Sequence, residues 1–291
     1  LYSAPVSTQF ISSEIGSSPV GVLDIIGPIF PKANMMTKMS GATSIEKLQG
    51  DFRAMVDNPD VTSIVLNIDS PGGMSDLIME MGDEIYNARD KKPIVAVANT
   101  VAASAAYWLG SQASEFYVTP SGQVGSVGVY TVHQDKSVQQ DKEGIKTTIV
   151  SAGKHKVDGN PYEPLSEDAK DFMQERVNET YSEFISAVAR GRGSSEEVVA
   201  EAYADGRVYR AKTALAMGMV DGVETFDSIV GRLSDGSYTI NTTNAISMKG
   251  QGVKMDGVTP RMLEALGLGE DATDEEIENA VVQMSSEITP L

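Results

Sequence analysis

No cysteine occurs among the 291 residues, which removes disulfides, thiolate nucleophiles and cysteine-ligated zinc or iron–sulfur sites together. The compartment stays open, because cytosolic and secreted proteins can both do without cysteine. Histidine is scarce as well: His133 and His155 are the only two, so an imidazole-based site has few ways to be built. Positive charge is short against negative, with 23 Lys and Arg facing 41 Asp and Glu for a net charge of −18. Such a surface repels phosphate backbones and anionic bilayers, so neither nucleic acid nor membrane is expected as a partner. No apolar run approaches the roughly 18 residues that cross a bilayer. Residues 1–19 have no basic n-region and no apolar h-region, so they are not expected to be a signal peptide. The first residue is Leu rather than Met, which fits a start inside a longer reading frame.

What is present is a chain with a 41% apolar share, enough for a sizeable core, and an alternation of strand-like and helix-like stretches. Val20–Ile26 reads as a buried strand closed by Gly27-Pro28. A helix is expected over Ser44–Asp57, with Ile45, Leu48, Phe52 and Val56 at helical spacing. Val61–Asp69 is rich in Ile, Val and Leu, as strands covered on both faces are. A helix over Met74–Arg89, a strand at Ile94–Ala98, a small-sided helix over Ala102–Leu109 and a short strand at Phe116–Val118 follow. The helix over Ser166–Arg190 has one apolar face, best explained by packing. Further helices are expected at Ser195–Ala204 and Ala211–Met217, with Gly218 as C-cap. The order implies an α/β fold with a largely parallel sheet. Residues 1–19 read as an arm, 20–233 as the main domain, 234–255 as a polar linker and 256–291 as an acidic helical tail. In that tail Thr259-Pro260 opens one helix, ending at Gly267, and Thr273 with Glu276 makes a capping box for another.

Amide hydrolysis needs a nucleophile, a base and an oxyanion hole. Ser104, in Ala102-Ala-Ser-Ala-Ala106, follows a strand and starts a helix, with neighbours too small to cover its hydroxyl. Its plain alternative is a helix N-cap. Asp69-Ser-Pro-Gly-Gly73 ends a strand with two glycines, whose N–H groups can approach a ligand closely; the plain alternative is a type II turn. For the base, three groups stand open. His133 ends a strand-like run, Val127-Gly-Val-Tyr-Thr-Val-His133. Lys154 and Lys156 flank His155 in a loop rich in Gly, Asn and Pro, and a lysine serves as base where burial keeps it neutral.

Taken as an ordered series, Asp69-Ser-Pro-Gly-Gly73, Ala102-Ala-Ser-Ala-Ala-Tyr107, Gly125-Ser-Val-Gly-Val129 and Ser151-Ala-Gly-Lys-His-Lys156 resemble the signal peptide peptidase A family of serine–lysine peptidases. His155-Lys-Val-Asp-Gly-Asn-Pro-Tyr162 is similar to the branch of that family formed by tailed-phage capsid assembly proteases. Asp205-Gly-Arg-Val-Tyr209 and Ala214–Asp221 extend the likeness, which covers about residues 20–232.

The resemblance implies a crotonase- and Clp-protease-like spiral of β-β-α units. It implies Ser104 as nucleophile and Lys156 as general base, with Lys154 the competitor in register. Gly73, with Gly72, and the N–H of Ala105 fall on the oxyanion hole, and Ser126 on a serine that orients the lysine. His133 matches a position that is not the base. No metal or cofactor is implied. The implied substrates are phage scaffold, portal or coat proteins, processed in the procapsid in the host cytoplasm, and the acidic tail is expected to relate to scaffolding. In double-length relatives lysine and serine lie in different halves. One copy of each motif here therefore implies a homo-oligomer, a ring, that completes the dyad between copies. A signal-peptide-degrading peptidase, a crotonase-fold acyl-CoA enzyme and a non-catalytic scaffold are the other classes.

Overall fold

Runs of Val, Ile and Leu form the centre of a mainly parallel sheet. β1 (Gln9–Ile11), β2 (Val20–Ile26), β3 (Ile29–Phe30), β4 (Thr43–Ser44), β5 (Ser63–Ser70), β6 (Ile94–Ala103), β7 (Glu115–Val118), β8 (Gln123–Gly125), β9 (Val208–Arg210) and β10 (Gly222–Val223) follow in chain order. β2, β5, β6, β7 and β10 lie side by side in parallel, and β1 adds an antiparallel strand outside β2. β8 runs parallel to the last residues of β6, and β9 pairs antiparallel with β8. β3 and β4 form a separate two-stranded sheet. The helices are α1 (Ile45–Asp57), α2 (Ile78–Ala88), α3 (Ala105–Ser111), α4 (Ser137–Glu143), α5 (Glu167–Arg192), α6 (Glu196–Ala202), α7 (Ala211–Ala216) and α8 (Phe226–Ser234). The α/β class and the largely parallel sheet are those expected.

This computed structural model describes residues 9–11, 19–33 and 41–236, with positions 263, 268, 269, 272 and 276 beyond them. Most of the expected linker, and the two helix signatures of the tail, lie outside the described residues. Among the described residues no helix is long and apolar enough to cross a membrane.

The chain divides into two units, residues 1–128 with 184–291, and residues 129–183. In the first, α1 starts where the Ser44 hydroxyl accepts the Lys47 N–H at 3.5 Å. It buries Ile45, Leu48, Phe52 and Met55; Met55 completes the face that the spacing assigned to Val56. On one face of the sheet Ile229, Val230 and Leu233 of α8 pack on Val20, Val22, Val65, Val95 and Val97. The serine-bearing helix α3 is wholly buried. Its Tyr107 hydroxyl donates to the Met219 carbonyl at 2.9 Å, and burial pushes that phenol well above its ordinary range, so it remains a neutral donor. Beside it, Arg192 grips Asp221 through two bonds of 2.7 and 2.8 Å, and Asp221 also accepts the Phe116 N–H of β7 at 2.7 Å. Burial opposes the Arg192 charge, but Asp221 outweighs it and holds the guanidinium charged.

Residues 129–183 contain α4, a series of loops and the first part of α5. Ala169 is the one residue of this unit that is buried. The strand expected over Val127–His133 does not form; residues 126–136 are irregular. A strand needs a partner, and among the described residues only Ser126 and Val127 find one, through Arg207 and Gly206. Tyr130 is left 86% exposed.

Candidate active site

β6 and β8 pair through Val101–Ala103 and Gln123–Gly125, and each runs into a serine with a left-handed backbone. Ser104 has φ 54° and Ser126 has φ 55°. A side chain at such a φ costs on the order of 1–3 kcal/mol and persists only where the surroundings impose it. Here they do. Ser104 N–H donates to the Gly125 carbonyl at 2.8 Å, Trp108 N–H donates to the Ser104 carbonyl at 3.0 Å, and Ser126 N–H donates to Arg207 at 2.5 Å.

The helix expected from Ala102 begins only at Ala105, because Ala102 and Ala103 remain in β6. Ser104 is thus the joint between strand and helix. It occupies the N-cap position, yet its hydroxyl makes no capping bond, whereas Ser44, Ser195 and Thr225 each cap their helices by side chain. The cap reading therefore does not describe Ser104. Its hydroxyl is unengaged among the described residues, and Ala105, as first residue of α3, has no acceptor within the helix for its N–H.

The glycine loop lies against this joint. A Cβ added to Gly72 would stand 2.7 Å from the Ser104 Cβ and 3.0 Å from the Ala105 nitrogen. Gly72 has φ +92°, and its N–H is taken by the Ser70 hydroxyl at 3.1 Å, which itself donates to the Gly27 carbonyl at 2.7 Å. Gly73 differs. Ile29 N–H donates to Gly72 O at 2.9 Å and Met74 N–H to Ile29 O at 3.0 Å, so the parallel bridge between Ile29 and Gly73 turns Gly73's own N–H away from β3. Of the two glycines, Gly73 presents the donor that is unengaged among the described residues. Ser70 and Ile29 were not singled out from the sequence, and only strand pairing reveals their part.

Both glycines are sterically fixed. A Cβ on Gly73 would meet the Ile29 backbone at 2.1 to 2.8 Å, and one on Gly72 the Ala103 carbonyl at 2.6 Å. Gly73→Ala is expected to destabilise the fold by roughly 1–3 kcal/mol, the usual scale of overpacking, and to reduce hydrolysis beyond that loss. Thermal unfolding and peptide hydrolysis on the same preparation check it. A Gly73→Ala protein with wild-type stability and activity would remove the loop from the site.

The candidate bases belong to residues 129–183. Lys156 is exposed on a series of turns, and its ammonium has no partner among the described residues. Lys154 faces Asp168 at 3.8 Å, and His155 Nδ1 is 2.9 Å from Asp158. His133 Nε2 lies 2.9 Å from the Asn160 carbonyl.

A serine held in left-handed strain between strand and helix, its hydroxyl unengaged among the described residues and backbone donors beside it, has the parts that an acyl-transfer nucleophile needs. The family model for peptidase family S49 matches residues 87–238, and the chain belongs to that family. Capsid assembly protease C of Escherichia phage lambda is 31% identical over 77% of this chain and 53% of its own length. Head-tail preconnector protein GP5 of Enterobacteria phage P21 is 30% identical over 69% and 40%. A putative signal peptide peptidase SppA of Enterococcus faecium is 29% identical over 62% and 51%. The chain spans about half the length, or less, of these relatives.

Proposed function

We propose that the chain is a serine endopeptidase in which Ser104 attacks the peptide carbonyl and Lys156 takes the hydroxyl proton. The observation that carries this reading is Ser104 itself: left-handed at the end of β6, hydroxyl unengaged, with the Gly72–Gly73 loop against it. As the carbonyl oxygen gains charge, the N–H groups of Gly73 and Ala105 donate to it. A neutral lysine accepts the serine proton and returns it to the leaving amine, and Ser126 orients that lysine. The lambda and P21 relatives, named for capsid assembly and for the head–tail preconnector, support phage scaffold, portal or coat proteins as substrates. The setting is then the procapsid in the host cytoplasm. We assign catalysis to residues 20–233 and a scaffold-related role to the tail, 256–291.

The dyad is completed between copies of the chain in a ring. Residues 129–183 bury a single side chain, too little to hold them without cover, and a second copy supplies that cover.

Lys156→Met is expected to lower hydrolysis of an unstructured substrate by about 10²–10⁴-fold, the usual contribution of a general base, and Lys154→Met to leave it intact. Loss with Lys154→Met and retention with Lys156→Met would move the base to Lys154. A chain ended after Gly236 should keep this activity; failure would make the tail part of the catalytic fold.

A further inference from the structure

With one buried residue, Ala169, the unit formed by residues 129–183 cannot fix its loops by packing. Hydrogen bonds do it instead, and they converge on the loop that bears Lys156. The Lys156 N–H closes a turn on the Gly153 carbonyl at 3.1 Å, Asp158 N–H one on His155 at 3.3 Å, and Asn160 N–H one on Val157 at 3.1 Å. Asn160 is the hub. Its Nδ2 gives a second bond to the Val157 carbonyl at 2.9 Å, and its Oδ1 accepts the Tyr162 N–H at 2.9 Å. The remaining group of Asn160, its carbonyl, faces His133 Nε2 at 2.9 Å. One residue further on, the Pro161 carbonyl accepts the Lys136 N–H at 2.8 Å. Residues 133–136 are thereby laced to the far side of the lysine loop at two successive carbonyls.

A carbonyl oxygen only accepts, so His133 Nε2 carries the hydrogen and donates it. The lysine ammonium makes no bond of its own among the described residues. Its placement is therefore set by the backbone beneath it, and the backbone is set by Asn160.

We infer that His133 is a positioning residue: by donating Nε2–H to the Asn160 carbonyl it holds the loop that presents Lys156 for proton transfer. This rests on the reading of Lys156 as base and adds to it the device that aims the amine. It also gives the chain's half-buried histidine a role that requires a donor and no proton acceptance.

Glutamine places an amide N–H about where Nε2 stands and cannot act as a base at neutral pH. His133→Gln is therefore expected to keep turnover close to wild type. His133→Leu and the shorter His133→Asn cannot reach the carbonyl. Each is expected to lower kcat by roughly 10- to 100-fold, the range that misplacing a reacting group by about an ångström produces, with KM nearly unchanged. Unfolding temperature and oligomer size, measured on the same full-length proteins, should match wild type, because the freed carbonyl is reached by water. Wild-type kcat in both His133→Leu and His133→Asn would overturn the inference. So would a His133→Gln protein as slow as His133→Leu, since the ring would then be acting as proton acceptor. Lys156→Met is run beside them. If it retains activity, the lysine reading falls and the positioning role falls with it. If it is inactive while His133→Leu is not, only the positioning role fails.

Discussion

Ser104→Ala lowers peptide hydrolysis by about 10⁵–10⁶-fold, as loss of a nucleophile does where the rest of the site is intact, and leaves the fold unchanged. Alanine removes one oxygen from a residue whose hydroxyl is unengaged among the described residues, so none of them loses a partner. Ser104→Gly is the more informative partner experiment. The backbone at Ser104, φ 54° and ψ −126°, is one that glycine adopts without penalty and a side chain does not. Relief of that strain is offset in part by the greater freedom of glycine in the unfolded chain. The glycine variant should still unfold at a temperature equal to the alanine variant's or higher by a few degrees, a gain of up to about 1 kcal/mol, while being equally inactive. Scanning fluorimetry and a gel-based cleavage assay read the two effects separately. Near-wild-type cleavage by either variant would remove Ser104 as nucleophile. A glycine variant clearly less stable than the alanine one would mean that the joint is not strained.

The strain at Ser104 also shows how far the sequence could be read. Ala102 and Ala103 have the highest helix propensity of all residues, and local pattern places them in a helix. Pairing with Val124 and Gly125 of β8 holds them in the strand instead, which moves the strand-to-helix joint onto the serine. Propensity is a local signal, and here a long-range ladder overrides it. The continuous apolar strands β2, β5 and β6 were legible because burial on both faces leaves a pattern in a single stretch. The site was legible only as motifs in order. That the N–H of Gly73 rather than of Gly72 is unengaged among the described residues depends on Ser70 reaching back to Gly27 and on Ile29 pairing beside Gly73, and neither relation is written in neighbouring residues. The Val127–His133 run failed for a complementary reason. Its alternation suits a strand, but beyond Val127 the described residues supply no partner strand, and Tyr130 and Val132 stay exposed.

Ser104→Ala and Lys156→Met, each inactive alone, regain activity when dissociated, mixed and reassembled together. The expectation follows from residues 129–183. They leave Tyr130, Val132 and Val150 exposed, Val150 at 93%, and apolar side chains in that number on a unit without a core call for a covering surface. On the proposed reading a second copy of the chain would place its own residues there and receive the same cover in turn, in a head-to-tail contact closing into a ring. Isolated chains would then stay inactive until their local concentration rises. In a ring assembled at random from equal amounts of the two variants, each site takes its serine from one copy and its lysine from the next. About a quarter of the sites then combine an intact Ser104 with an intact Lys156, by simple counting over heterologous contacts, and about a quarter of the wild-type rate is the expected yield. Activity should also fall steeply on dilution of the wild-type protein, in step with its mass by light scattering. Mixed rings with no recovered activity, or a monomer that is fully active, would place both halves of the dyad within one chain.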